Sequence, residues 1–297
     1  MKGYDLVGNI AMVKFAEGTL VKDKKRAANF LMSRNKNIKT VVEKVDKVKG
    51  RLRTLNVKWL DGEKNFIADY KENNCRFRFD IKNCYFSPRL SEERKIVASM
   101  VKKNDSVLVM FSGAGFFPIV IAKNSKCKSV VGVEIGKICC DYAQENVLIN
   151  KVGDRVKIVQ GDVKRVIPKL VSVEINTPTK FACAKTLPFP SHHPTPNFSN
   201  LNTPNVNQRY SKLKQKFSLI VMPRPQLKDT FLKDALKVSK KGTRIIYYGF
   251  ARVGEEKDKM IDELKKIGGK KVKIVKIVKA GDLAPYKFRW RIEILVK

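Results

Sequence analysis

The residues best equipped for chemistry lie between positions 105 and 136, in DSVLVMFSGAGFFPIVIAKNSKCKSVVGVEIG. An apolar run (107–111, ending on Phe111) enters a glycine-bearing turn (112–115), an apolar helix-like segment follows, and a second apolar run (129–133) ends on Glu134. Gly113 and Gly115 have no Cβ, so the backbone can turn tightly and approach a ligand closely. The helix that starts beyond them offers free N–H groups. Glu134 falls about 20 residues past the turn, where an acid at a strand end accepts hydrogen bonds from two ribose hydroxyls. A dinucleotide fingerprint would read GxGxxG, but Gly113-Ala114-Gly115-Phe116-Phe117-Pro118 lacks the third glycine. The spacing fits S-adenosylmethionine better. Asp162, in VKIVQGD, closes a third strand-like run and is placed for an adenine amino group. The rival reading is a strand–turn–helix that packs and binds nothing.

The surrounding elements must hold this unit. Residues 3–15 alternate apolar and polar, as one half-buried strand would. A helix is expected over 22–37, strands over 40–45, 55–60 and 65–70, and a strand at 75–80, CRFRFD, where arginines alternate with aromatics. These make residues 1–90 a small α+β domain, followed from 91 by a cofactor domain whose first helix spans 91–101. After Glu134 and its neighbour Ile135 come a helix (137–150), a strand (156–160) and a short helix (164–170). Residues 176–208 hold half of the twelve prolines and both histidines, His192 and His193, and read as a surface insertion. The pattern resumes with a strand at 217–222 ending Met222-Pro223-Arg224-Pro225, a helix at 231–238, a strand at 244–250, a helix at 258–267 and strands at 272–278 and 290–296. The expected architecture is α/β, an open doubly wound sheet of the class I, Rossmann-like methyltransferase type, closed by an antiparallel strand pair.

Sixty-two Lys and Arg against 28 Asp and Glu give a net charge of +34, which favours a polyanionic partner. A hydrophobic content of 43% excludes disorder for most of the chain. The six cysteines show no CxxC spacing and no paired histidine, so neither a zinc site nor a disulfide framework is suggested. With no apolar run of membrane length and no cleavable leader, the expectation is a cytoplasmic, metal-free, membrane-free monomer.

The motifs resemble those of the archaeal–eukaryotic tRNA (guanine-37) methyltransferase family over nearly the whole chain outside 176–208. Cys84-Tyr85-Phe86-Ser87-Pro88-Arg89-Leu90-Ser91-Glu92-Glu93-Arg94 looks like the family's YFSPRL..ER signature, and Met110-Phe111-Ser112-Gly113-Ala114-Gly115 like its MFAGVG loop. The opening YDLVGNIAMVKF looks like the start of the family's second domain, which implies that the leading domain gripping the tRNA elbow is lacking and that phosphate attraction offsets it. The resemblance implies methyl transfer from S-adenosylmethionine to the purine at position 37, beside the anticodon of a tRNA, with tRNA-Phe the expected species.

By motif match it also implies roles. Glu93 is the general base and Arg53 steadies the exocyclic oxygen. Tyr85, Phe111, Gly113, Gly115, Glu134, Ile135, Asp162, Met222 and Pro223 hold the cofactor, and Arg89, Arg94, Phe116 and Arg224 meet RNA. Read without the resemblance, Glu93 and Arg94 are a helix-surface pair and Arg53 a strand-surface charge. The family's guanine-methylating members carry Asn-Leu/Pro-Pro where this chain has Pro223-Arg224-Pro225, and proline supplies neither a side-chain amide nor a backbone N–H. In this it resembles the archaeal wyosine-pathway subgroup, which implies methylation of C7 of 4-demethylwyosine to give isowyosine, with N1 of guanosine as a possible second output. The alternatives are a guanosine N1 methyltransferase only, or a catalytically weakened RNA-binding homologue, suggested by Pro223 and by Val109 where relatives carry an acid.

Overall fold

The computed structural model describes residues 3–45, 50, 52–170, 216–223 and 229–297. The expected insertion and Arg224 lie outside these. Residues 3–15 form not one strand but a hairpin, β1 (Tyr4–Val7) and β2 (Ile10–Val13), turning at Gly8 with φ +59°. A Cβ at Gly8 would stand 1.9 Å from the carbonyl oxygen of Asp69, so only glycine fits this crossing. Helix α1 (Val21–Arg34) returns the chain to β3 (Thr40–Lys44), parallel to β2, and β4 (Val57–Gly62) completes a four-stranded sheet.

Strands β5 (Ile67–Glu72) and β6 (Cys75–Asp80) make a separate antiparallel pair. In CRFRFD the residues Cys75, Phe77 and Phe79 face inward and the arginines outward, the alternation that a strand imposes. Helix α2 (Ser91–Ser99) follows and packs on α3 (Phe116–Asn124).

The large sheet is built from β7 (Ser106–Met110), β8 (Ser129–Glu134), β9 (Val156–Gln160), β10 (Phe217–Met222), β11 (Ser239–Arg252), β12 (Val272–Ala284) and β13 (Lys287–Val296). Their spatial order is β12-β13-β11-β10-β7-β8-β9, parallel throughout except for β13, which runs antiparallel to both β11 and β12. Alternation along β7 splits the core in two. Val107 and Val109 face α3 and the β5–β6 hairpin, whereas Leu108 and Met110 face the layer containing α5 (Val163–Leu170), α6 (Leu232–Lys237) and α7 (Glu255–Gly268). Every residue from Phe116 to Ala122 is buried, so α3 is apolar all round, as a helix sandwiched between sheet and hairpin must be.

Helix α4 (Lys137–Ile149) carries an unexpected polar seam. Asn146 Nδ2 donates to the Arg78 carbonyl and its Oδ1 accepts the Arg78 N–H; Asn150, just past the helix end, does the same with Arg76. The two asparagines, one turn apart, satisfy the free edge of β6 as a neighbouring strand would.

Candidate active site

The carboxyl ends of β7 and β8 open onto a cleft of about 710 Å³, counting the open space at its mouth. The β7 strand stops at Phe111, whose φ of +62° is rare for a non-glycine residue, and the turn continues through Gly113 (φ +57°) and Gly115 (φ +85°). Gly115 caps α3, and a Cβ there would meet Ile119 Cδ1 at 2.8 Å. A Cβ on Gly113 would instead project toward the Phe116 ring (3.7 Å) and the Tyr85 carbonyl (3.9 Å), both on the cavity wall. The missing side chain is therefore part of the cavity's volume.

Glu134 ends β8 and joins the two loops. Its Oε2 accepts the Gly113 N–H at 2.9 Å and its Oε1 the Gly136 N–H at 2.9 Å. Each carboxylate oxygen retains a further lone pair beside the cavity. Asn146 adds a third strut, donating to the Ala114 carbonyl at 3.0 Å. A nucleoside with a vicinal diol fits these residues: a carboxylate for the hydroxyls, a glycine backbone for close approach, and Tyr85, Phe86, Phe116 and Phe117 as flat apolar walls.

Of the residues expected at the site, the fold brings Arg53, Tyr85, Arg94, Phe111, Gly113, Phe116, Glu134 and Pro223 together on this cavity. Arg53 sits not on a strand but in a turn with φ +56°, its guanidinium 3.7 Å from the centre of the Tyr85 ring. Ile135 is half-buried behind Glu134 and does not line the cavity. Met222 is buried in the core beneath its mouth. Asp162 is likewise not among the lining residues: its carbonyl and carboxylate accept N–H groups at the start of α5, from Val166 and Lys164 at 2.8 Å each. That is helix capping. Arg89 is exposed, its side chain 69% accessible, and pairs with Asp5.

Two corrections concern the signature helix. Glu93 and Arg94 are not a surface pair, since α2 buries both, to 7% and 2% exposure. Arg94, expected to meet RNA, forms a two-point ion pair with the buried Glu72 and donates to the Ser87 carbonyl. It braces the cavity floor instead of reaching outward. Glu93 is not a lining residue of the cavity; Arg291 Nη1 reaches its Oε2 at 2.8 Å and its Oε1 at 3.0 Å, and the Tyr248 hydroxyl donates to Oε2 at 2.7 Å. Burial, followed by the Glu93 charge, pushes the Tyr248 phenol well above its ordinary value, so it remains a donor. Arg291 gave no chemical signal in the sequence. A polar pair at i, i+4 within an apolar stripe was the trace of Asn146 and Asn150. Among the described residues no cluster of His, Cys, Asp or Glu is arranged to hold a metal ion, and no described helix is long and apolar enough to cross a membrane.

A sheet of this order, with one reversed strand and an acid-held glycine loop at its carboxyl edge, defines a class I methyltransferase. Residues 68–186 match the family model described as the TRM5/TYW2 methyltransferase domain. The chain is 30% identical to the tRNA (guanine(37)-N(1))/4-demethylwyosine(37)-methyltransferase Taw22 of Nanoarchaeum equitans, over 98% of each chain. It is 33% identical to Trm5b of Pyrococcus abyssi over 59% of this chain and 52% of that one, so it spans about half of that relative. The crystal structure of Pyrococcus abyssi Trm5b superposes with a TM-score of 0.75 at 25% identity, covering 100% of this chain and 75% of the other. TYW2 of P. horikoshii, in complex with MeSAdo, shares the fold with a TM-score of 0.72 at 19% identity, over 99% of this chain and 90% of that one. The chain belongs to the TRM5/TYW2 methyltransferase family.

Proposed function

We propose that this protein is a cytoplasmic, monomeric S-adenosylmethionine-dependent tRNA methyltransferase acting on the purine at position 37, with tRNA-Phe as substrate. Its product is isowyosine from 4-demethylwyosine, with N1-methylation of guanosine as a second output. The observation that carries the reading is the Glu134 carboxylate, which accepts the N–H groups of Gly113 and Gly136 beside an aromatic cavity. The Nanoarchaeum relative, matched along its whole length and named for both acceptors, supports the choice of substrate.

The cofactor supplies an electrophilic methyl group. The chain supplies position and a proton acceptor. Glu134 holds the ribose hydroxyls, and Tyr85, Phe116 and Phe117 exclude water from the adjoining space. The acceptor base leaves the anticodon-loop stack to reach the cavity mouth, where Arg53, fixed on Tyr85, stands beside its exocyclic oxygen. Methylation at carbon or at nitrogen releases one proton from the acceptor. Glu93 takes it on Oε1, which accepts only Arg291 and keeps a free lone pair. Residues 1–90 form the substrate domain that presents Arg53 and Arg89. Proline at 223 removes a side-chain amide from the cavity rim and suits a tricyclic base that offers fewer hydrogen-bonding edges than guanine.

The test uses labelled S-adenosylmethionine and two tRNA-Phe transcripts, one bearing guanosine and one 4-demethylwyosine at position 37, with nucleosides resolved by mass spectrometry. Label on the tricyclic base, alone or with guanosine, is expected. Label on guanosine alone would restrict the enzyme to N1 chemistry, and label on neither would refute the assignment.

A further inference from the structure

Strand β13 projects Arg289 and Arg291 from one face, two residues apart. Arg291 has Glu93, whereas Arg289 has no counterpart among the described residues. It is 7% exposed, yet it forms no hydrogen bond or ion pair with any described residue, and its guanidinium carbon lies 5.2 Å from the centre of the Phe250 ring. A guanidinium in that position carries five donors with no acceptor, and a buried charge left unpaired is strongly disfavoured. Its nitrogens are not sealed in. The described side-chain atoms that are both sealed and partnerless are Trp59 Nε1, Ser112 Oγ and Glu145 Oε2.

Its place in the fold says where these donors point. Arg289 stands opposite Phe250 near the end of β11, at the carboxyl edge of the parallel strands where this class of sheet binds ligands. Tyr85, Tyr248, Glu93 and Arg53 all lie within electrostatic reach of it. It does not line the cofactor cavity. It therefore faces the substrate side of the Glu93 cluster, not the cofactor side. There, among the described residues, Arg291 pairs with Glu93 and Glu293, and Arg53 stacks on Tyr85.

We propose that Arg289 binds an anionic phosphodiester oxygen of the RNA, in the backbone flanking the base presented to Glu93. The planar guanidinium fork matches a phosphate with two parallel hydrogen bonds, and the ligand supplies the acceptor that the protein withholds. This rests on the tRNA reading above.

The experiment measures tRNA affinity at several salt concentrations, S-adenosylmethionine affinity by calorimetry and thermal stability, for the wild type, Arg289→Met and Arg289→Lys. For Arg289→Met, the expected results are a roughly tenfold or greater loss of tRNA affinity and a log–log salt slope shallower by about one. Cofactor affinity should stay within about twofold and the melting temperature unchanged or higher, because an unpaired buried charge has been removed. Lysine should recover part of the tRNA affinity. Unchanged tRNA affinity and slope would overturn the proposal. So would a tenfold loss confined to the cofactor, which would assign Arg289 to the methionine carboxylate, and so would loss of both ligands with a lowered melting temperature. A wild type that binds no tRNA would overturn the functional reading itself, whereas an Arg289→Met variant binding as the wild type does would sink only this step.

Discussion

Glu93 of α2 and Arg291 of β13, 198 residues apart in sequence, meet through Arg291 Nη1 at 2.8 and 3.0 Å, while Arg291 Nε reaches Glu293 at 3.4 Å. The pair ties the helix bearing the family signature to the reversed strand of the sheet. Both side chains are nearly buried. Removing one partner leaves the other charge uncompensated, at a cost of about 3–5 kcal/mol. Arg291→Met should therefore lower unfolding stability by about 3 kcal/mol or more in denaturant titrations, and Glu93→Gln by less, since a neutral amide still accepts from both donors. If Glu93 receives the proton, Glu93→Gln should also cut turnover at least about a hundredfold without changing cofactor affinity; wild-type turnover would remove it from that role.

Tyr248 gives the same cluster a pH signature. Its folded pKa lies well above the unfolded value because of burial and the Glu93 charge. The unfolded phenol thus releases its proton first as pH rises past about 10. The native state then holds more protons, so stability is present below pH 10 and declines above it. Tyr248→Phe should make the alkaline fall in melting temperature shallower, although it lowers stability at neutral pH by about 1.5–3 kcal/mol through the lost hydrogen bond to a charge.

Glu134→Ala should remove the bonds to Gly113 and Gly136 together with the diol acceptor. Calorimetry should show S-adenosylmethionine affinity falling by roughly a hundredfold or more, as expected for loss of charge-assisted hydrogen bonds. Gly113→Ala makes a sharper test. Its Cβ meets ring and carbonyl atoms of the cavity wall at 3.7 Å and beyond, and the left-handed φ of +57° costs alanine about 1–2 kcal/mol, so a loss of affinity out of proportion to that loss of stability would mark the space as the cofactor's.

Asn146→Ala deletes two donated bonds and one accepted bond, leaving the Arg78 backbone and the Ala114 carbonyl unmet. A destabilisation of about 2–3 kcal/mol is expected, with weaker cofactor binding because the loop loses a support. Normal affinity in a folded variant would show that Glu134 alone sets the loop.

The five described cysteines are free and buried. Burial pushes the Cys75 thiol up to about 12, and Cys84 and Cys140 higher than usual as well. Thiol-specific reagents at neutral pH should label the native protein at these positions only at the rate of unfolding.

Local pattern made the βαβ unit legible. Strand β7, the glycine turn, α3 and the acid ending β8 are consecutive, and each is fixed by residues within a few positions of it. The same is true of the closing hairpin β12–β13 and of the alternation in CRFRFD. The opening segment misled because an apolar run with one glycine reads as a single strand, and only the crossing of Gly8 over Asp69 forces a turn there.

What the sequence determined by itself was therefore the order of elements, the cofactor loop and the excess of positive charge, all properties carried by neighbours along the chain. Tertiary structure decided which charges are available to a substrate. Glu93, Arg94, Arg289 and Arg291 look alike as letters, yet one arginine is closed by Glu72, one by Glu93 and one by nothing described. Those partners lie on other elements, 22 and 198 residues away, and burial makes their presence or absence decisive, because a charge sheltered from water has no other source of compensation.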